Sequence, residues 1–377
     1  MTDDDRARPL LLRADNFTPP QRTPWGGTRV LRDLKASAPL APEKAAYACV
    51  GESWELSVEP DFPSLVEPAP GVGAAERTLA AVIADDPRAY LGREAEGEQR
   101  GTALLVKLVD TADELSVQIH PADDYAGLAP GESGKPESWY IAAREPGAGV
   151  YLGLADGVTR EALTAALEAG ADLAPLLGFV PVEVGDFFLI EAGTPHAIGR
   201  GVLIVEPQHV APGKRGLTYR YWDWNRRYDA RGVLDPHGEP RALHVAHALA
   251  VTRWDAPRGA AFADSVRLRA STPDAVGPAR LTRLAGRSGG LHPDELERAG
   301  LPSAWLEVAR AAGTGALKWP AQDALVGLTV VAGRVTIVEA HGRRTLVERG
   351  RSAALPACIG DVRLELDAAH AILASIA

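Results

Sequence analysis

Along "SVQIHP", Ser116 to Pro121, polar and apolar residues take turns: Ser116, Gln118 and His120 stand at every second position, with Val117 and Ile119 between them. Successive side chains of a β-strand point to opposite faces, so the pattern predicts a strand that carries a hydroxyl, an amide and an imidazole on one face. Short runs rich in β-branched and aromatic residues, "ALLVKLVD", "SWYIAA", "DFFLIEAG" and "GVLIVEPQ", are bounded by turn residues and read as further strands of one sheet system. Helical spacing interrupts them. "TREALTAALEAG" sets Leu163, Ala166 and Leu167 at i, i+3 and i+4 behind a Thr159 cap and ahead of Gly170, which predicts a helix over about residues 160–169. A second helix is expected in "PRALHVAHALAV", entered at Pro240.

The Pro-, Arg- and Ala-rich passage "TRWDAPRGAAFADS" reads as the change-over between two domains, residues 1–255 and 256–377. In the second, "LVGLTVVAGRVTIVE" predicts a strand, an Ala-Gly turn and a strand, and "GRSAALPACIGDVRLEL" resumes the β pattern. That domain has no H-x-H pair and no acids clustered near a histidine, so no chemistry is assigned to it; His292, His341 and His370 are isolated. The expected class is mainly β, a sandwich or barrel with a few helices, followed by a smaller C-terminal β domain.

Composition narrows the function. A chain of 377 residues with 46% apolar and 24% charged content has the makings of a soluble globular protein with a sizeable core. Its formal net charge of −10 speaks against nucleic acid or an anionic membrane as the main partner. Cys49 and Cys358 lie far apart without a C-x-x-C spacing, so a disulfide framework or thiolate zinc cluster is not expected. "MTDDDRARPLLLRADNF" opens with acids, and its apolar run is too short for a signal peptide or a membrane span. The expectation is a soluble cytoplasmic protein of unspecified oligomeric state.

Three separated stretches supply metal-ligand types: Gln118 and His120, then Glu137 in "GKPESWY", then His196 after the Gly-Thr-Pro turn of "GDFFLIEAGTPHAIG". Two imidazoles, one carboxylate and one amide oxygen suit a divalent first-row ion such as Zn²⁺, with positions left open for substrate or water. A lone histidine beside a proline is more often a cap or core residue; the joint occurrence of these stretches, in this order, carries the metal reading. Pro136 holds Lys135 extended, so Lys135 and Glu137 should point the same way and set an ammonium beside the carboxylate. "HVAH", His244 to His247, also has metal-pair spacing, but lacks a third ligand nearby and is read as helix surface or core edge.

"VQIHPADDYA", "GKPESWYIA", "GDFFLIEAGTPHAIGRGVLIVEPQ" and "TYRYWDWNR" resemble the successive signatures of the type I mannose-6-phosphate isomerases, members of the cupin superfamily. "WGG" at Trp25, "GESWELS" at Gly51, "LLVKLVD" around Lys107 and "RALHVAHAL" extend the likeness over roughly residues 20–250, and the C-terminal 120 residues resemble a degenerate second cupin. The resemblance implies a double-stranded β-helix, a jelly roll whose interior holds one Zn²⁺ or other divalent ion through Gln118, His120, Glu137 and His196. It implies interconversion of mannose 6-phosphate and fructose 6-phosphate through a cis-enediol, whose developing charge needs stabilisation.

The matching catalytic cation is Arg220 of "TYRYW", on a strand expected to share one face among Thr218, Arg220 and Trp222. Lys135 is the second catalytic cation. The positions matching the phosphate site are Lys107 and Ser116; a bland alternative for Lys107 is an exposed lysine paired with Asp110 or Glu114. Relatives often carry a histidine before the "KPE" lysine and an aspartate four residues before the arginine, where this chain has Gly134 and Gly216. The proton-moving base is therefore open among Lys135, His209 and a metal-bound hydroxide, and Lys214 and Arg215 of the inserted "PQHVAPGKRG" are candidates for a lid. Two other readings are a sugar-phosphate sensor without catalysis, motivated by those two glycines, and an Fe²⁺ cupin oxidase, which leaves Lys135 and Arg220 unexplained.

Overall fold

The alternating stretches become strands that collect into two five-stranded antiparallel sheets facing one another. The structure is a computed structural model and describes residues 8–68, 76–95, 101–268, 270–286 and 305–377. Strand β1 is Leu10–Leu11, β2 Glu52–Leu56, β3 Leu104–Asp110, β4 Val117–Ile119, β5 Glu137–Arg144 and β6 Gly149–Leu154. Then come β7 Leu177–Pro181, β8 Phe187–Ile190, β9 His196–Ile198, β10 Val202–His209 and β11 Tyr219–Trp222. One sheet runs β7-β6-β9-β4-β11 and the other β8-β5-β10-β3-β2, so the expected single system is split, with "VQIH" opposite the other four quoted runs.

The facing sides of the two sheets enclose a core that changes character along its length. Trp139, Ile141, Phe188, Ile190 and Ile204 of one sheet meet Val150, Leu152 and Ile198 of the other and fill one end with apolar side chains. Towards the other end the same alternation turns polar, with Glu137 and Gln208 paired across β5 and β10 and His196 and Gln118 paired across β9 and β4. A packed end and a polar end make a closed jelly roll with a cavity at its mouth.

The outer side of the second sheet is buried as well. Tyr140, Phe187, Leu189, Val205, Leu104 and Val106 pack against Leu306, Val308, Ile372 and Ala374. Burial on both sides is why "ALLVKLVD" reads as a nearly unbroken apolar run. The outer side of the first sheet, Val117, Ile119, Tyr219, Tyr221 and Trp222, packs with Leu163 and Ala248 from two helices.

The C-terminal strands form an eight-stranded sheet that also takes in β1 from the N-terminus. Helix Gly259–Val266 packs Phe262, Ala263 and Val266 into the first jelly roll, and the Leu268 N–H donates to Phe187 O. Strands of the C-terminal sheet resume at Asp274. Lys35 ties the parts together: its buried ammonium lies 2.5 Å from Glu55 Oε1 and 2.8 Å from Ala14 O, while Glu55 Oε2 accepts a 2.8 Å bond from Ser352.

Two local expectations change. "LVGLTVVAGRVTIVE" is not a hairpin but one strand, Val326–Glu339, bent where Gly333 takes φ +61 and the pairing register shifts. Both halves continue along the same long partner, Val362–Ile376, so the glycine bends the strand without reversing it. The second helix, Val245–Val251, begins after His244 and not at Pro240, which lies in a two-residue strand. The His244 N–H donates to Arg220 O and the Arg220 N–H to His244 Nδ1, which holds this stretch alongside β11 before the helix starts. The first helix, Arg160–Glu168, keeps its Thr159 cap, and no described helix is long and apolar enough to cross a membrane.

Candidate metal centre and active site

β4 turns His120 inward, β9 turns His196 inward, and β5 supplies Glu137 from the opposite sheet. One ligand atom from each lies within 4.8 Å of the others, and all three residues are buried. Each imidazole is oriented from behind: His120 Nδ1 is 2.8 Å from Leu217 O, and His196 Nδ1 is 2.8 Å from Thr194 O. A carbonyl only accepts, so Nδ1 carries the proton and each Nε2 presents a lone pair to the centre.

Those inward atoms have no hydrogen-bond partner. His120 Nε2, His196 Nε2 and Glu137 Oε2 are buried and unsatisfied among the described residues. His120 Nε2 approaches Glu137 Oε1 to 2.8 Å without the alignment of a hydrogen bond, and His196 Nε2 lies 3.5 Å from Oε2. Buried polar groups are rarely left unpaired, so converging orphaned lone pairs of N, N and O type fit a borderline divalent ion. Burial lowers the His120 imidazole to about 3 and also lowers His196, which keeps both rings neutral and able to donate.

Gln118, two residues before His120 on β4, lines the same cavity. Lys135 reaches Glu137 Oε1 at 2.9 Å. Burial is the largest influence and works against its charge, but Glu137 together with Glu206 and Glu52 outweighs it and raises the ammonium above its ordinary value. Burial likewise opposes ionisation of Glu137; with both imidazoles neutral, the Lys135 ammonium is the cation that holds it well below the usual range.

The cavity, about 150 Å³, has room for several waters and is lined by Lys107, Ser116, Gln118, Lys135, Glu137 and Arg220 together with residues the sequence did not single out. Lys107 is 5% exposed, with its ammonium 3.6 Å from Glu52, 3.9 Å from Glu206 and 4.3 Å from the Trp54 ring centre. Its neighbours are therefore neither Asp110, which binds Arg29, nor Glu114. Arg220 donates to Ala242 O at 2.7 Å, and its Nε is buried without a partner among the described residues. Burial, and then the neighbouring Arg241, lower this guanidinium to about 10.

Trp222 does not share the Arg220 face. A bulge in β11 sets Arg220 opposite Gln118 but Trp222 opposite Val117, which turns the indole outward to Tyr219 and Tyr221. His209 also faces away: Glu206 and Gln208 take the inward positions of β10, and the His209 ring lies 6.0 Å from Trp305. Lys214 and Arg215 are not among the cavity-lining residues, and Arg215 bonds Glu132 at 3.1 Å. His247 accepts or donates a 2.9 Å bond with the Tyr125 hydroxyl and stacks on Tyr219. His370 meets Tyr140 at 2.6 Å, His341 lies 3.3 Å from Glu339, and His292 lies outside the described residues.

Both glycine departures have a steric reason. A Cβ on Gly134 would lie 2.6 Å from Pro121 O, and its N–H donates to Asp123 Oδ1. A Cβ on Gly216 would lie 2.7 Å from Lys135 Cδ, so the missing side chain makes the channel through which Lys135 reaches Glu137.

Three functional candidates escaped the sequence reading. Gln208 donates to Glu137 Oε1, Glu206 accepts from Trp139 Nε1 at 2.9 Å, and Arg241 lies on the cavity wall. Burial and then Glu137 push the Glu206 carboxyl up to about 8. Glu206 and Gln208 were within reach of the same alternation argument used for "SVQIHP", since they stand two apart in "GVLIVEPQ".

No family model matches the chain. Among curated proteins it is similar to the mannose-6-phosphate isomerase of Streptococcus mutans, 32% identical over 256 residues, or 67% of this chain and 71% of that one. It is 34% identical over 228 residues to mannose-6-phosphate isomerase ManA of Bacillus subtilis, spanning 60% of this chain and just under two thirds, 64%, of that relative. The fold matches the crystal structure of the Bacillus subtilis mannose 6-phosphate isomerase with a TM-score of 0.74 at 24% identity, over 98% of this chain and 99% of that one. A variant of phosphomannose isomerase from Salmonella typhimurium matches with a TM-score of 0.65 at 14% identity, over 98% and 100%. The jelly roll is thus a cupin fold.

Proposed function

The chain belongs to the mannose-6-phosphate isomerase family, and from that premise we propose that it interconverts D-mannose 6-phosphate and D-fructose 6-phosphate by metal-assisted proton transfer through a cis-enediol. The observation that carries the metal dependence is the convergence of His120 Nε2, His196 Nε2 and Glu137 Oε2, buried and unpartnered among the described residues. We assign Gln118 as the fourth ligand. One Zn²⁺ per chain suits two imidazoles, a carboxylate and an amide oxygen, and when bound it would supply Lewis-acid polarisation of the sugar oxygens.

The protein's own groups do the remaining work. The Arg220 guanidinium, with an unpaired buried Nε among the described residues, stabilises negative charge that develops on O1 and O2. Lys135, tied to Glu137 and walled by Gly216, keeps a second positive charge beside the reacting carbons. Lys107 and Ser116 bind the substrate from the same cavity wall. His209 faces Trp305, and Lys135 is held as an ammonium beside Glu137, so neither nitrogen is free to take up the C2 proton in this arrangement. A cytoplasmic location belongs to the same reading, supported by the sparse, widely separated cysteines. Nothing observed favours a non-catalytic sensor.

The test is a coupled mannose 6-phosphate assay alongside metal analysis. We expect about one zinc per chain, activity lost on chelation and restored by Zn²⁺, and solvent deuterium washed into C2 during turnover. Substrate binding without turnover or exchange, in the presence of any of several divalent ions, would refute the isomerase and support a sensor.

A further inference from the structure

The two histidines of "HVAH" act on β11 instead of on an ion. β11 is an edge strand of its sheet, so the Arg220 backbone groups that turn away from β4 have no strand beside them. His244 takes that place by itself: its N–H donates to Arg220 O at 2.8 Å, and its Nδ1 accepts from the Arg220 N–H at 3.1 Å. Two antiparallel strands exchange the same pair of bonds at one residue. Accepting at Nδ1 requires a neutral ring with its proton on Nε2. Burial, then Arg220 and His247, lower this imidazole and keep it neutral.

The support falls where β11 is irregular. Its bulge breaks the pairing with β4 between Arg220 and Trp222, and a bulge re-aims the side chains beside it. The Arg220 side chain donates from Nη1 to Ala242 O at 2.7 Å, while its Nε has no partner among the described residues. Backbone and guanidinium are thus both held from residues 242–244. That segment is anchored in turn. The His247 ring, three residues on, stacks on Tyr219 at 4.9 Å and lies 2.9 Å from the Tyr125 hydroxyl, and the Tyr221 hydroxyl donates to Ala248 O at 2.9 Å. Tyr219 and Tyr221 flank Arg220 and face outward, so the helix grips the outer side of β11 while His244 holds its edge.

Resting on the isomerase reading, we infer that His244 is a positioning residue for Arg220: as a neutral acceptor it fixes the backbone from which the guanidinium is aimed at the sugar oxygens. His244 does not line the cavity, so it acts only through the arginine. A tilt of the Arg220 backbone weakens stabilisation of charge that develops in the reaction more than it weakens binding of the substrate.

The experiment measures kcat and KM for mannose 6-phosphate, with metal content, in His244→Leu and His244→Asn. The Asn Oδ1 can stand where Nδ1 stands and accept the same bond; leucine cannot. His244→Leu should lower kcat about tenfold or more, with KM within about threefold and metal content unchanged, and His244→Asn should recover most of the loss. Hydrogen exchange at the Arg220 amide should quicken about tenfold in the leucine variant and stay slow in the asparagine variant. Long-range proton–nitrogen NMR of the wild-type imidazoles gives a readout independent of turnover and of variant folding, with His244 Nδ1 expected to carry no proton. A protonated Nδ1, a leucine variant with kcat within about threefold of wild type, or equal losses in the two variants would each overturn the inference. A wild-type protein with a slow Arg220 amide and an unprotonated Nδ1 that never turns over mannose 6-phosphate would instead count against the isomerase reading.

Discussion

Replacing Glu137 with glutamine removes one negative charge and almost no volume, so its effect on the metal-free protein isolates the ion pair with Lys135. The pair is separated by 2.9 Å and both side chains are buried, 7% and 1% exposed. At an effective dielectric constant of 20, two unit charges at that distance attract by about 6 kcal/mol. The net loss is smaller, because Glu206 and Glu52 also act on Lys135, and Glu206 ionises more readily once Glu137 no longer opposes it. Leaving one member of a buried pair unpaired ordinarily costs about 3–5 kcal/mol, and that is the expected destabilisation of metal-free Glu137→Gln. Urea unfolding with chelator present, read by tryptophan fluorescence and far-ultraviolet circular dichroism, gives the number. The Glu137→Gln/Lys135→Met double variant should regain part of it, since the stranded ammonium is gone. A single variant within about 0.5 kcal/mol of wild type would refute the claim that Lys135 depends on Glu137 for its charge.

Gly216→Ala should displace Lys135 from Glu137, because the added methyl falls against the lysine stem; turnover should drop about tenfold or more while metal content holds. Unchanged turnover would show that Lys135 needs no such channel. Lys35→Met should destabilise the protein by about 3–5 kcal/mol in urea by stranding Glu55 between the first jelly roll and the C-terminal sheet, and a neutral outcome would mean that the Ser53 and Ser352 hydroxyls satisfy Glu55 without the ammonium. His370 gives a pH signature: burial, and then Arg310, lower its folded pKa to about 4. Its unfolded value is about 6.5, so the unfolded chain holds the extra proton between those limits. Stability should be fully present above about pH 6.5 and be lost as pH falls towards 4, and His370→Gln should flatten that part of a thermal-melt profile. An identical slope in the variant would assign it to other groups.

The sequence alone determined the strands and the identity of the polar residues on their faces. Alternation is a local property: with a period of two, Ser116, Gln118 and His120 must share a side whatever the strand pairs with, and Pro136 aligns Lys135 with Glu137 in the same way. Local rules also set the Thr159 cap and the helix after it. They failed where one residue changes the count. The β11 bulge turned Trp222 outward, and Gly333 bent a strand where a turn was expected, because both depend on how a partner strand keeps register.

Only the tertiary structure decided which faces meet. Glu137 comes from one sheet and the two histidines from the other, so no spacing within a single strand fixes their 4.8 Å cluster. The same holds for Lys107, whose partners Glu52 and Glu206 lie on neighbouring strands, and for Arg241, which is an ordinary basic residue until β11 brings Arg220 beside it. Side-chain direction is set by neighbours along the chain, whereas charge balance in a cavity is set by groups converging from distant segments, and that sum exists only once the sheets have closed.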